Sequence, residues 1–281
     1  MPFSSPSSPR RVSVAALCVG LLVVALALPG CQPNSTETAT DEAGDDPSAL
    51  DWTPPPQSEW TALVEGDSLA HWTVRSEAAR NIWTVQDGVI DCAPRTQPEG
   101  ADKHLWSTQD FGDVQLRLEW RITDTKGGTY PMHPIRPDGS YETNDEGEPI
   151  VTRRRNADSG IYLRGTPKAQ VNIWNWPVGS GEVYGYRTDE SMPPEVRAGV
   201  TPTTRADRPL GEWNTFVITM EGDRLTVVLN GTTVIENARL PDVPETGPLA
   251  LQHHGGYDAE TDTWNAASSL VQFRDIYVKE L

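Results

Sequence analysis

VQLRLEWRI, residues 114 to 122, alternates without a break: Val114, Leu116, Leu118, Trp120 and Ile122 are apolar, and Gln115, Arg117, Glu119 and Arg121 between them are polar. Successive side chains of an extended chain point to opposite faces, so this order makes one face oily and the other polar, and no helix has that repeat. Working outward, Arg224 to Asn237 reads RLTVVLN, then Gly231, then TTVIEN. Asn230-Gly231 between two β-branched runs is the strongest short-range signal for a hairpin. Further strands are expected at Trp83 to Val85, Val89 to Ala93, Thr215 to Glu221, Pro248 to Gln252 and Leu270 to Glu280. Neither a long amphipathic helix nor an internal repeat is present. Many short strands separated by turn residues predict an all-β fold, two antiparallel sheets packed face to face, with a barrel as the rival.

Three stretches carry more than packing: SGIYLRG (159 to 165), QVNIWN (170 to 175) and LQHHG (251 to 255). Period two sends Ile161, Leu163, Val171 and Ile173 to a core. It sends Tyr162 and Arg164, Gln170, Asn172 and Trp174, and Gln252 and His254 to the other side. Amides, an imidazole, a guanidinium and flat rings on one surface suit a polyhydroxylated ligand, a carbohydrate. Trp83, Trp120 and Trp213 are read as core.

The N-terminus is read as a leader. Arg10 and Arg11 precede an apolar run from Val12 to Leu28 that is short for a membrane span but right for a secretory segment. The run ends in Leu28-Pro29-Gly30-Cys31, which resembles a bacterial lipoprotein signal with Cys31 as the lipidated first residue. Plain secretion and an uncleaved anchor are the alternatives. Residues 1–30 are thus a signal peptide, 31–58 a polar tether without apolar periodicity, and 59–281 the folded domain. The protein is expected to be exported, its only contact with a membrane the lipid, and Gln32 favours an outer-membrane or periplasmic face of the cell envelope. Cys18 and Cys31 belong to the leader and anchor, so Cys92 is alone in the domain and is read as a buried, inert thiol.

The net charge is −17, and −19 once Arg10 and Arg11 leave with the leader. Nucleic acid and anionic membrane are excluded as partners by that surface. Residues 124 to 156 form a 33-residue stretch of Gly, Pro, Asp and Glu with no strand pattern, expected to be a lid or a disordered loop. Its DGSYETNDEG segment, 138 to 147, lacks the sixth-place Gly and twelfth-place Glu of an EF-hand. No metal-ligand spacing stands out, which leaves a divalent cation as an open option.

In order and spacing, a series of short motifs resembles the 3-keto-disaccharide hydrolase family over nearly the whole domain. The series is WTVQDG (83 to 88), FGDVQL (111 to 116), DSGIYLRG (158 to 165), GEWN (211 to 214), LNG (229 to 231), LQHHG (251 to 255) and VQFRDI (271 to 276). The resemblance implies a concanavalin A-like jelly roll of the lectin and glucanase type, with a sugar site on its concave face. It also implies cleavage of glycosides first oxidised at C3. A C3 ketone acidifies the hydrogen on C2, so a base can remove it and the C1 substituent can leave by elimination, water adding later.

The chain departs from the family where relatives carry carboxylates, having Gln170 and Asn175 instead. Neither amide can act as a base. His254, Glu182 and Arg164 are the candidate catalytic groups. Tyr162, Gln170, Asn172, Trp174, Tyr184, Gln252 and His253 are the candidate sugar contacts. The duller readings are backbone-bonded loop histidines, an ion pair for Arg164 and a turn-bonded Glu182. Two other functions stay open, a non-catalytic binding module of the same fold and a structural envelope protein.

Overall fold

The computed structural model describes residues 59–92 and 102–281. The expected leader 1–30, the expected lipidation site Cys31, the whole of the expected tether 31–58 and Ala93 lie outside the described residues. In chain order the strands begin with β1 Thr61–Ala62, β2 Trp72–Val74, β3 Trp83–Gln86, β4 Val89–Cys92, β5 Leu105–Phe111 and β6 Val114–Ile122. There follow β7 Tyr130–Met132, β8 Thr152–Arg154, β9 Asp158–Leu163 and β10 Thr166–Trp174, then two short helices, α1 Tyr184–Arg187 and α2 Pro194–Gly199. The rest is again strand: β11 Asn214–Glu221, β12 Arg224–Leu229, β13 Thr232–Arg239, β14 Gly247–Leu251, β15 Tyr257–Asp258, β16 Thr263–Trp264 and β17 Val271–Glu280. Among the described residues, no helix is long and apolar enough to cross a membrane.

The fold is the antiparallel sandwich expected. One sheet runs β13-β12-β11-β6-β17-β4-β3, with β1 added on β17, and the other runs β10-β9-β14-β5-β2. Between them Leu116, Leu118, Phe216 and Phe273 of the first sheet and Ile161, Val171, Ile173 and Leu251 of the second share one buried cluster. Truncating one of these side chains to Ala would cost about 2–5 kcal/mol. Cys92 is buried in the same cluster as a free thiol that burial holds well above its usual range. The β12–β13 hairpin turns on Asn230 and Gly231 with φ of 51° and 78°, the pair of positive angles that a two-residue hairpin loop of matching twist requires.

Two details depart from the sequence reading. The stretch 124 to 156 contains a hairpin after all: β7 pairs with β8, Pro131 opposite Arg153, and isolated bridges tie Ile135 to Tyr141 and Thr143 to Pro149. Its strands are too short and too poor in β-branched residues to show a period. Trp213 is half-buried rather than core, its ring covered by the guanidinium groups of Arg121 at 4.5 Å and Arg274 at 4.2 Å. On that outer face of the larger sheet Arg117 and Glu119 are themselves buried, paired at 3.0 Å, with Arg274 on the other oxygen of Glu119 at 2.7 Å.

Candidate functional site

The smaller sheet turns its second face away from the core, and a row of paired residues crosses it: Gln170 opposite Tyr162, Tyr162 opposite Ala250, Ala250 opposite Trp106, Trp106 opposite Thr73. At the β10 end this face opens into a cleft of about 250 Å³, enough for one sugar ring. Six of the expected residues meet there: Gln170, Asn172, Trp174, Tyr184, Gln252 and His254. Asp158, Tyr130 and Trp176 join them.

The floor is an amide bridge. The side-chain nitrogen of Gln170 donates to the Gln252 Oε1 at 2.8 Å and to the Ser159 carbonyl at 3.3 Å, reaching across β9. It passes over Gly160, where an added Cβ would sit 2.6 Å from that nitrogen, so the glycine is needed for the crossing. Both acceptors require a donor, which a carboxylate at 170 could not supply. Asn175 is committed in the same way: its amide accepts from Ala157 N and donates to the Arg155 carbonyl, each at 3.1 Å. It ties the end of β10 to the start of β9 and does not line the cleft.

One wall is aromatic. Trp174 and Trp176 stack at 4.3 Å with 7° between their planes, and Tyr184 stands edge-on to Trp174 at 6.1 Å. The Trp174 ring is fixed by its N–H donating to the Gly179 carbonyl at 2.7 Å. Tyr184 is 43% exposed and available to a ligand. Flat ring faces of this kind pack on the C–H faces of sugars.

The proton-handling groups are Asp158 and His254. The His254 Nδ1 lies 2.9 Å from the Ala267 carbonyl, which can only accept, so Nδ1 carries the hydrogen and the neutral ring presents a lone pair at Nε2. Ser269 joins the two residues through their backbones: its hydroxyl accepts from His254 N at 2.7 Å and donates to the Asp158 carbonyl. The Asp158 carboxyl is raised to about 6 by burial, with the charge of His254 pulling the other way. It makes no hydrogen bond among the described residues. Such a carboxyl, next to an imidazole in a cleft, is disposed to exchange a proton.

Four expected residues are placed elsewhere. Arg164 is the largest correction. Leu163 pairs with Thr166, so Arg164 and Gly165, with φ of 48° and 70°, form the two-residue turn between β9 and β10, and strand alternation does not extend to Arg164. Its guanidinium donates to the carbonyls of Gly112, Gly222 and Pro244 and to Asp113 at 2.9 Å, outside the cleft. Glu182 does not return a carboxylate to the cleft either. It is fully buried and paired with Arg187, and burial outweighs that partner and lifts it to about 7.

The other two are nearby but off the cleft lining. Tyr162 packs with Trp106 and Ala250, its hydroxyl 3.4 Å from His104 Nε2 and raised to about 12 by burial. His253 is buried, its backbone N–H donates to His104 Nδ1 at 3.1 Å, and burial lowers its imidazole to about 3, so it stays neutral. Among the described residues, no group of three or more His, Cys, Asp or Glu side chains is placed to hold a metal ion. Asp158 was legible in principle, since it stands two residues before Gly160 and four before Tyr162 on one strand face. Tyr130 sits in the stretch that shows no period.

The model of the 3-keto-alpha-glucoside-1,2-lyase-like domain matches residues 59–279. The chain belongs to that family. Membership makes it a carbohydrate-active domain of the glycosyl hydrolase-like kind, and the resemblance read from its motifs holds. Among solved structures, one from Parabacteroides distasonis, provisionally assigned as a glycosyl hydrolase, is 22% identical over 80% of this chain and 84% of its own, with a TM-score of 0.48. A second from the same organism, assigned in the same way, is 14% identical over 79% and 94%, TM-score 0.46. A carbohydrate-binding module from Bacillus subtilis is 12% identical over 75% and 96%, TM-score 0.36. A search of curated proteins found no match. Within the 3-keto-glucoside lyase-like family the amides at 170 and 175 are thus built into this chain's hydrogen bonding, and the carboxylate facing its cleft is Asp158.

Proposed function

We propose that the protein is an exported lipoprotein, anchored through Cys31, whose cleft holds a neutral sugar and cleaves glycosides carrying a ketone at C3. Asp158 beside His254 on the floor of an aromatic-walled cleft is the observation that carries this reading. Among the described residues no Lys or Arg lines the cleft, which favours an uncharged ring. With the ring against Trp176 and Tyr184, the lone pair on His254 Nε2 takes the C2 hydrogen as a proton. Electrons move toward the C3 oxygen, and amide N–H groups and the Tyr184 hydroxyl are the donors at hand for the enolate. The enolate then collapses, the C1–O bond breaks, and the leaving oxygen takes back the proton held by the imidazolium. Ionised Asp158 stabilises the imidazolium in between. General acid–base action of this kind is worth roughly 10²–10⁴ in rate.

A second reading is supported by the amides themselves: with neither Gln170 nor Asn175 able to take a proton, the domain binds a glycan without turning it over. The test is to incubate the purified chain with 3-keto and unoxidised disaccharides, with and without EDTA. Release of the aglycone from the keto sugar alone is the expected result. Saturable binding of both sugars with no release would replace the enzyme by the binding module, and abolition by EDTA would show that a cation takes part.

A further inference from the structure

A second cavity, of about 200 Å³, opens where the end of β10 faces the end of β6. Trp174 lines it as well as the cleft. Beside the neutral amides of Asn175 and Asn214, its charged lining is mainly cationic: Arg154 from β8 and Arg205 and Arg208 from the segment before β11, against the carboxylate of Asp207. That carboxylate is engaged, both oxygens accepting from Ser180 N at 3.2 and 3.1 Å, with Arg205 at 3.6 Å. The guanidinium groups of Arg154 and Arg208 donate to no acceptor among the described residues. In a chain of net charge −17, three arginines around one small cavity are a local reversal of sign.

We propose that this cavity binds an anionic sugar, a ring bearing a carboxylate or sulfate. Two unengaged planar guanidinium groups match an oxyanion, which each can grip with two N–H donors. The 53% exposed Leu210 at the rim offers apolar surface to the body of the ligand, which a bare inorganic anion would leave unused. The cavity is too small for more than one ring. Because no cationic side chain among the described residues lines the cleft and three line this cavity, the two sites, which share Trp174, select for opposite character, neutral in one and acidic in the other. This inference does not rest on the chemistry proposed for the cleft.

Titration calorimetry of the full chain with D-glucuronate, D-glucose and sodium sulfate decides it. Glucuronate should bind, and bind several-fold more weakly when ionic strength rises from 20 to 200 mM, as partly exposed charge pairs do. The double variant R154Q/R208Q should weaken it about tenfold or more while leaving glucose binding and keto-sugar cleavage unchanged. Neither arginine holds the fold together, and a thermal melt verifies that. Leu210→Glu, which sets a like charge at the exposed rim, should weaken glucuronate as well. Glucuronate affinity unchanged in both variants overturns the site. Sulfate binding as tightly as glucuronate overturns the sugar-acid assignment, since the ring would then contribute nothing.

Discussion

The amide nitrogen of Gln170 lies 2.8 Å from Oε1 of Gln252, joining β10 to the segment after β14 across the intervening strand. Both of its partners are acceptors, the other being the Ser159 carbonyl. Gln170→Glu, the residue relatives are expected to carry there, should therefore lose about 1–3 kcal/mol of stability at neutral pH, when a carboxylate faces two oxygens. The new carboxyl would be held protonated above its unfolded value, so the penalty is full above the folded pKa and fades as pH falls toward the unfolded one. Urea unfolding at pH 4 and pH 8 checks this. An equal cost at both values would show that donation by the amide is not what matters.

In the proposed chemistry, Asp158 should set the acid limb of activity. Its carboxyl stands at about 6. The rate of keto-sugar cleavage should fall below that pH as the carboxylate that supports the His254 imidazolium is lost. In Asp158→Asn the limb near pH 6 should vanish and kcat/KM should drop roughly 10²–10⁴-fold. A pH–rate profile identical in midpoint to the wild type would remove Asp158 from the chemistry.

Tyr184 is 43% exposed at the cleft wall and is expected to serve binding more than folding. Tyr184→Phe should keep ring stacking and lose only a hydroxyl contact. Tyr184→Ala should raise KM about three- to tenfold, the value of one aromatic face, with Tm nearly unchanged. A Tm drop as large as that of a core truncation would show the ring to be structural.

Glu182 and Arg187 form a buried pair behind the cleft, and Arg187 continues to the Gly139 carbonyl at 3.2 Å and the Tyr141 hydroxyl at 3.4 Å. Glu182→Ala leaves that cation buried and should cost about 3–5 kcal/mol. Because burial holds the Glu182 carboxyl at about 7 in the fold against a usual 4.5, the folded state keeps a proton that the unfolded chain gives up. Its contribution is therefore whole below the unfolded value and declines as pH climbs through about 4.5 to 7. Glu182→Gln should flatten that decline, measured by unfolding free energy at pH 5 and pH 8.

Arg164 should behave oppositely to the cleft residues. Arg164→Ala removes four hydrogen bonds, including those to three backbone carbonyls, and should cost at least about 2 kcal/mol while folded molecules retain their kcat. Loss of turnover at unchanged stability would reverse this assignment.

Most of the architecture was legible because the pleat writes itself into the order of residues. The strand 114 to 122 has the expected ends, the Asn230-Gly231 turn falls where expected, and Ile161, Leu163, Val171 and Ile173 bury together. The same rule gathered Gln170, Asn172, Trp174, Gln252 and His254 on one face. It failed at Arg164, because a residue in a two-residue turn no longer obeys the strand's alternation. It failed at Glu182 too, whose direction is set by its buried pairing with Arg187 five residues on and by a bend with no period of its own. Asp158 was passed over since its raised carboxyl comes from burial near an imidazole of the segment after β14, a relation no local pattern records.

The Ser269 hydroxyl takes the amide hydrogen of His254 and gives its own to the carbonyl of Asp158. The alignment of acid and base thus depends on the main chain of one segment gripping that of another through a third, and side-chain exchange at neighbouring cleft positions leaves that clamp intact. If Asp158 and His254 react as proposed, substrate preference can therefore drift by swapping the rings and amides around the clamp while the pair keeps its aim.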